Sequence, residues 1–565
     1  MSETEFERSA DYVIVGAGSA GCVLAERLSA DGKHDVLVLE FGGMDNSLFI
    51  QMPTALSIPM SSPKYDWGLH TQAEPGLGGR SVHQARGKVI GGSSSINGMV
   101  YVRGNAGDFE QWREQGAEGW GYADVLPYFQ RAEDCLYGAD AYRGSEGPVG
   151  ICNGNDMQNP LYRVFIEAGR ETGYGVSEDY NGYRQEGFCR MDMTVRGGVR
   201  CSTANAYLKP ALDRSNLTLQ THALTTRILM EGKRAVGVEY RYHGQVVKVR
   251  ARREVILCAS AFNSPKLLML SGIGPKAHLQ DMGIEVVHDL PGVGQNLQDH
   301  LEVWVQHASR KPGTLNGWLN PLGKMLIGVR WLLFKTGLGA TNHFESNAYI
   351  RSRAGLQYPD LQYHFLAGAI AYDGSSALKG HGFQVHLGAN KPLSRGRIQL
   401  SSGDPEAPPD ILFNYLSEEA DKQAYRDGLR LTREIFAQAA FDAYRGEEVS
   451  PGPSVQTDEE IDAWVATSAA TAYHPCGSCR MGSDALAVVD VQCRVHGVAN
   501  LRVVDSSVMP TLTNGNINAP TIMIGEKAAD HILGKPLLPA STAASWQAPD
   551  WQHRQRESAA RRLAP

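Results

Sequence analysis

The six residues Gly16-Ala17-Gly18-Ser19-Ala20-Gly21 lie between the apolar run Tyr12-Val13-Ile14-Val15 and a helix-like stretch, and Glu40 closes a second apolar run, Val36-Leu37-Val38-Leu39. Strand, glycine loop, helix and distal acid together make a dinucleotide-binding fingerprint. Gly16 permits a tight strand-to-helix turn, Gly18 lets backbone N–H groups approach a pyrophosphate, and Gly21 lets helix and sheet pack closely. Ser19 and Ala20 fall at the positive end of the helix, where phosphates bind. Glu40 is placed to accept hydrogen bonds from an adenosine ribose. The loop alone does not separate NAD from FAD.

The chain has 565 residues, enough for two or three domains with sizeable cores. Its 42% hydrophobic and 20% charged residues describe an ordinary soluble globular protein. With 54 basic against 61 acidic side chains, the net charge of -7 argues against nucleic acid as the main partner. Nine cysteines spread from Cys22 to Cys493 suggest reduced thiols in a cytoplasm. Cys476 and Cys479 have C-x-x-C spacing but lack the companion motif of a metal or dithiol site, so packing is their expected role.

The first ten residues carry Glu3, Glu5 and Glu7 and no apolar core, unlike a secretory signal or transit peptide. No apolar run reaches the ~18 residues needed to span a bilayer. The stretch from Lys324 to Lys335 is the nearest candidate for membrane contact. A helix facing the core of a second domain is the preferred expectation for it, with peripheral association at the inner face of the cell membrane as the alternative.

Leu217 to Tyr240 reads as strands around a turn at Glu231-Gly232-Lys233, and Glu254 to Cys258 as a buried strand. From about Ser309 to Thr471 longer amphipathic stretches, such as Asp421 to Ala439, mix with strand-like runs such as Gly396 to Ser401, which marks a separate domain. The segment beyond Pro539 is rich in Ala, Gln and Arg and is expected to be a mobile tail.

A second glycine-rich block runs from Arg86 through Gly91, Gly92, Ser93 and Asn97 to Gly98. It is another place where backbone can approach a ligand closely. One pyrophosphate does not need two such loops, whereas a cofactor with an extra ring system gives the second loop something to hold.

This block, with Asn263-Ser264-Pro265-Lys266-Leu267-Leu268, Pro291 to His300, His474-Pro475-Cys476-Gly477, Val504 to Pro510 and Asn516 to Thr521, resembles the glucose-methanol-choline family of flavoprotein oxidoreductases. The likeness runs from about Asp11 to Leu538. It implies an α/β (α+β) architecture: a discontinuous Rossmann-like FAD-binding domain (1–155, 200–308 and 472–538) and a substrate-binding domain (156–199 and 309–471) built on an antiparallel sheet flanked by helices, followed by the tail 539–565. FAD would be held by the two glycine loops, Glu40, Arg86, Asp505, Asn516 and Thr521. Ile96 stands where some relatives carry a His that bonds FAD covalently, so the cofactor is expected to be dissociable.

The family's catalytic pair falls on His474 and Asn518. Moving a hydride from an alcohol carbon is easier once the hydroxyl proton has been withdrawn, and imidazole can accept that proton near neutrality. Asn518 would hold the substrate oxygen, and Asn516 would face the cofactor. The likeness is strongest to the choline-oxidising members, which implies a small alcohol substrate, conversion of choline to betaine aldehyde, and a quinone, a respiratory carrier or oxygen as electron acceptor. A permanent cation needs a negative charge and aromatic faces. By resemblance Glu345 supplies the charge, Tyr473 and Trp67 the walls, and His381 a further contact; an arginine-paired Glu345 and ordinary core aromatics are the competing readings. Oxidation of another aliphatic or aromatic primary alcohol, and non-redox lyase chemistry on the same flavin, stay open as alternatives.

Overall fold

The computed structural model describes residues 6–371 and 374–562. The acidic start up to Glu5 and the last three residues of the tail lie outside the described residues. Two seven-stranded sheets organise the chain. The first runs Leu217–Gln220, Val36–Leu39, Arg8–Val15, Gln245–Leu257, Arg234–Tyr242 and Leu224–Glu231, with Leu501–Val503 added beside the end of Gln245–Leu257. Its glycine-loop half is parallel, Val13 pairing with both Leu37 and Val255. The apolar runs read in the sequence are continuous because these central strands are covered on both faces; all four residues of Val36–Leu39 are buried. The turn at Glu231-Gly232-Lys233 joins an antiparallel hairpin, as its residues imply.

Helix α1 (Ser19–Ser29) follows the first strand, and its Cys22, Val23, Leu24 and Leu28 are fully buried. The second sheet is antiparallel throughout, in the order Arg445–Ser450, Leu301–Ser309, Gly382–Ala389, Leu361–Leu366, Ser346–Ile350 and Gly187–Arg190, with Ala470–Thr471 added beside the start of Leu301–Ser309. Leu301–Ser309, most of which precedes the boundary expected at 308, pairs within this second sheet.

Helix α2 (Pro321–Phe334) corrects the core-facing expectation. Only Gly323 and Trp331 are buried, while Leu322, Leu333 and Phe334 are among the most exposed apolar residues described. Helix α3 (Glu419–Phe436) buries its apolar stripe on the second sheet. Helix α4 (Asn518–Leu533) packs along α1. Glu526 of α4 is fully buried and binds Arg27 of α1 at 2.8 Å and Arg131 at 2.8 Å. Arg27 also pairs with Glu26 at 3.1 Å and Arg131 with Asp530 at 2.8 Å, so Glu526 links two ion pairs into one network across the helices.

The segment after Pro539, expected to be mobile, lies along the second domain. Arg556 donates to both oxygens of Glu434, Gln555 donates to Ser352 O, and the Arg184 guanidinium sits 4.4 Å from the Trp546 ring centre. A low-complexity composition did not reveal these fixed partners.

Candidate active site

A single cleft of about 1550 Å³, counting its open mouth, is lined by the glycine loop, Glu40, the Arg86–Val100 block, Asp505, and residues from Tyr473 to His474 and Asn516 to Thr521. Its lining runs from the glycine loop and Glu40 at one end to His474 at the other, an extent that suits an elongated cofactor together with a substrate. The backbone explains how the loops approach one another. Gly16 has φ +103°, and a Cβ there would stand 2.5 Å from Cys258 O. Gly92 has φ +53°, and its Cβ would meet Gly18 Cα at 2.7 Å. Gly91 N–H donates to Ala17 O at 2.7 Å, so the second loop is fastened to the first.

Glu40 is buried, and accepts from Ala17 N–H at 2.9 Å and Gly42 N–H at 2.7 Å. Burial pushes its carboxyl up to about 7 against these two bonds. A carboxylate has about four lone-pair positions, so acceptor capacity remains for ribose hydroxyls. Asp505 is likewise pushed up by burial, and accepts from Ser264 Oγ, Ser260 N–H and Ser507 N–H. Arg86 donates to Tyr473 O, and Asn97 accepts from Met99 N–H and Arg200. Gly16, Gly18, Ser19, Ala20, Gly92, Ser93, Gly98 and Thr521 also line the cleft, whereas Gly21 and Gly91 act behind it. A Cβ on Gly21 would stand 2.0 Å from Gly16 O.

The two asparagines change places relative to the sequence reading. Asn518 is the first residue of α4, and its Oδ1 accepts from Ser19 Oγ at 2.7 Å, joining the N-termini of α4 and α1. Asn516, in the preceding loop, places Nδ2 2.9 Å from His474 Nε2. Two converging helix N-termini and a glycine cradle fit an anionic dinucleotide.

His474 is buried and hydrogen-bonded on every side. Its backbone N–H donates to Asp299 at 2.7 Å, and Asp299 also accepts from Tyr415 and Thr471 hydroxyls. Its Nδ1 lies 3.0 Å from His300 Nδ1, while His300 Nε2 lies 3.2 Å from Asn390 O. A carbonyl only accepts, so His300 carries its proton on Nε2 and its Nδ1 accepts from His474 Nδ1–H. This assignment from the bonding pattern leaves the lone pair of His474 on Nε2, beside Asn516. Burial holds His300 down to about 3, and burial together with His300, His364 and Arg86 holds His474 well below the usual imidazole range. Both rings are neutral at physiological pH.

Tyr473 and Trp67 line the cleft, Trp67 packing 4.9 Å from Phe41. Glu345 and His381 do not. Glu345 turns its carboxylate to Met157 N–H at 2.7 Å and Thr341 Oγ1 at 3.2 Å, and burial raises it above the ordinary carboxylate value. His381 bonds Thr314 at 2.8 Å.

The second sheet brings an unforeseen acidic and aromatic cluster to the His474 side; like Glu345 it does not line the cleft, and it reaches the cleft residue Asn516 through Gln362. In register across it stand Trp304, His386 and His364. Trp304 and His386 stack at 4.5 Å, and Phe344 packs on both histidines. Glu302 accepts from Trp304 Nε1–H at 2.8 Å and from His386 Nδ1 at 3.0 Å. Burial pushes the Glu302 carboxyl up, but His386 and these bonds outweigh it, leaving it below its ordinary value and ionised. Gln362 connects the cluster to Asn516 at 3.3 Å and to His364 at 2.7 Å. The missed signal was alternation: Glu302, Trp304 and Gln306, each with a polar atom, interleave with the buried aliphatic Leu301, Val303 and Val305.

Family models described as GMC oxidoreductase match residues 10–302 and 392–525. The chain is 60% identical over 555 residues to an oxygen-dependent choline dehydrogenase of Photobacterium profundum (98% of each chain) and 56% identical over 545 residues to one of Brucella ovis (96% and 99%). Among solved structures, pyridoxine 4-oxidase from Mesorbium loti superposes with TM-score 0.84 at 34% identity, covering 93% of this chain and 99% of that one.

Proposed function

The chain belongs to the GMC oxidoreductase family, and from that premise we propose that it oxidises choline to betaine aldehyde with FAD as cofactor. The observation that carries the reading is the His474 Nε2 lone pair, held beside Asn516 in a cleft whose other end is a dinucleotide cradle. Glu40, the Gly16–Gly21 loop and the N-termini of α1 and α4 would hold the adenosine and phosphates; the Arg86–Gly98 block would face the ring system. Ile96 lines the cleft and has no nucleophilic atom, so FAD is held without a covalent bond. A mass measurement on denatured protein checks this.

When bound, FAD supplies the two-electron acceptor for the hydride leaving the substrate carbon. The protein's own contribution is to the oxygen. His474 Nε2 takes the hydroxyl proton, and the resulting imidazolium stabilises the alkoxide by a charge-assisted hydrogen bond. Asn516 Nδ2–H donates to the same oxygen. A neutral, buried imidazole is available for this at any physiological pH because no proton has first to be removed from it. The carbonyl product leaves once the proton is on His474 and the hydride has departed.

For the cation, Glu302 is the better anion than Glu345. Neither glutamate lines the cleft, but Glu302 is ionised and its partners Trp304 and His386 stack, with Phe344 against His386, whereas Glu345 accepts from the Met157 amide and is raised by burial. Tyr473 and Trp67 form walls on the cleft side. Electrons pass on to a quinone, a respiratory carrier or oxygen, the last being the acceptor in the names of the relatives. Anaerobic flavin reduction by a panel of alcohols, followed by admission of oxygen or a quinone, tests both parts: choline should bleach the flavin faster than neutral alcohols, and the faster reoxidant identifies the acceptor.

A further inference from the structure

Helix α2 is amphipathic the wrong way round for a helix surrounded by water. Its contact with the rest of the protein is made by Gly323, Ile327 and Trp331, the last anchored by Nε1–H donating to Gly198 O at 2.7 Å. The opposite face carries Leu322, Met325, Leu326, Val329, Leu332 and Leu333, which are 46% to 68% exposed. Their spacing of three, one, three, three and one residues puts them on one stripe. A surface stripe of this kind marks an interaction site.

Charge identifies the partner. Between Glu302 and Glu345 the chain has no acidic residue but carries Arg310, Lys311, Lys324, Arg330 and Lys335, although the whole protein is acidic at -7. A two-fold contact between copies through this helix would bring these cations against one another. An anionic leaflet pairs with them and accepts the apolar stripe. Trp318, 44% exposed just before the helix, suits the headgroup level. The turn Gly337–Ala340 after α2 packs on Pro53–Ala55, between two short helices that expose Leu48, Phe49 and Ile58. The second of these also carries Met60, which lines the cleft, so the apolar surface continues toward its mouth. No helix among the described residues is long and apolar enough to cross a membrane.

We propose that α2, about 21 Å long, lies flat on an anionic bilayer as the docking element of the protein. Flotation of the FAD-loaded protein with phosphatidylethanolamine–phosphatidylglycerol vesicles, and separately with phosphatidylcholine vesicles, tests this. The wild type should float with the anionic vesicles and far less with the neutral ones. Leu326→Glu/Leu333→Glu should reduce the floated fraction about tenfold or more, with alcohol oxidation in solution unchanged. Lys324→Gln/Arg330→Gln/Lys335→Gln should weaken binding to the anionic vesicles selectively. Wild-type protein that stays behind with both vesicles, or a double glutamate variant that floats equally well, overturns the proposal. So does a wild-type dimer that the same variant splits without any flotation, which would assign the face to a second copy. Flotation reads binding alone and is independent of which alcohol the cleft oxidises.

Discussion

Asn516 Nδ2 stands 2.9 Å from His474 Nε2, while Asn518, two residues on, gives its side chain to Ser19. Helix α4 starts between the two tasks: Asn518 is its first residue and faces the N-terminus of α1, and Asn516 lies in the loop that reaches the second sheet. Asn516→Ala should lower kcat about 100-fold, the cost of losing one donor to a developing alkoxide, with FAD content preserved. Asn518→Ala should instead weaken FAD retention and leave the rate per bound flavin near wild type. Flavin content and single-turnover rates measured on both variants check the division, and the reverse pattern would return the catalytic role to Asn518.

His300 is a positioning residue that fixes the tautomer of His474. Replacing it with Leu removes the acceptor for Nδ1–H and admits the tautomer with no lone pair at Nε2. The turnover number should drop about tenfold or more. His300→Asn retains an acceptor oxygen and should recover most of the loss. Because the folded pKa of His474 is depressed, its basic form persists below pH 6.5, so the acid limb of kcat/KM should lie below that value in the wild type. A limb above pH 6.5 assigned to His474 would contradict the neutral, buried ring.

The two glutamates separate by substrate. Glu302→Gln should raise the KM for choline about tenfold or more while leaving an uncharged isostere such as 3,3-dimethylbutanol little affected, since a cation–anion contact in a desolvated site is lost. Glu345→Gln should leave that discrimination intact and lower stability by about 1–3 kcal/mol through the bonds to Met157 and Thr341. Steady-state kinetics on both alcohols would sink the assignment if Glu345→Gln, and not Glu302→Gln, lost selectivity.

Glu40 makes the cofactor-free protein sensitive to pH. Its folded pKa of about 7 lies above the ordinary 4.5, so the folded state binds the extra proton between those values. Stability is therefore full below about pH 4.5 and declines as pH rises to 7, by a few kcal/mol at most. Glu40→Gln should flatten that part of the profile in urea titrations of the FAD-free protein. A profile unchanged by the substitution would show that Glu40 is ionised without strain.

The parallel core and its glycine turn were legible because their information is local: Gly16 to Gly21 and Glu40 sit at fixed offsets from apolar runs. The place of His474 in the cleft was legible through its motif. The cluster of Glu302, Phe344, His364 and His386 was not, because these residues come from four separate segments and meet only through the register of the second sheet. The bond between Glu345 and the Met157 amide was likewise not legible, because its spacing from His343 and Phe344 says nothing about a partner so distant in the chain. The tail's order depends on distant carboxylates such as Glu434, which composition does not report.

The most direct test of the central claim is anaerobic stopped-flow mixing of the FAD-loaded protein with choline, for wild type and His474→Ala. Wild-type flavin should bleach in a single fast phase, and the variant, with equal flavin content, should bleach about 100- to 10,000-fold more slowly. Wild-type flavin that stays oxidised, or a variant that bleaches at the wild-type rate, would contradict proton abstraction by His474 as the step that releases the hydride.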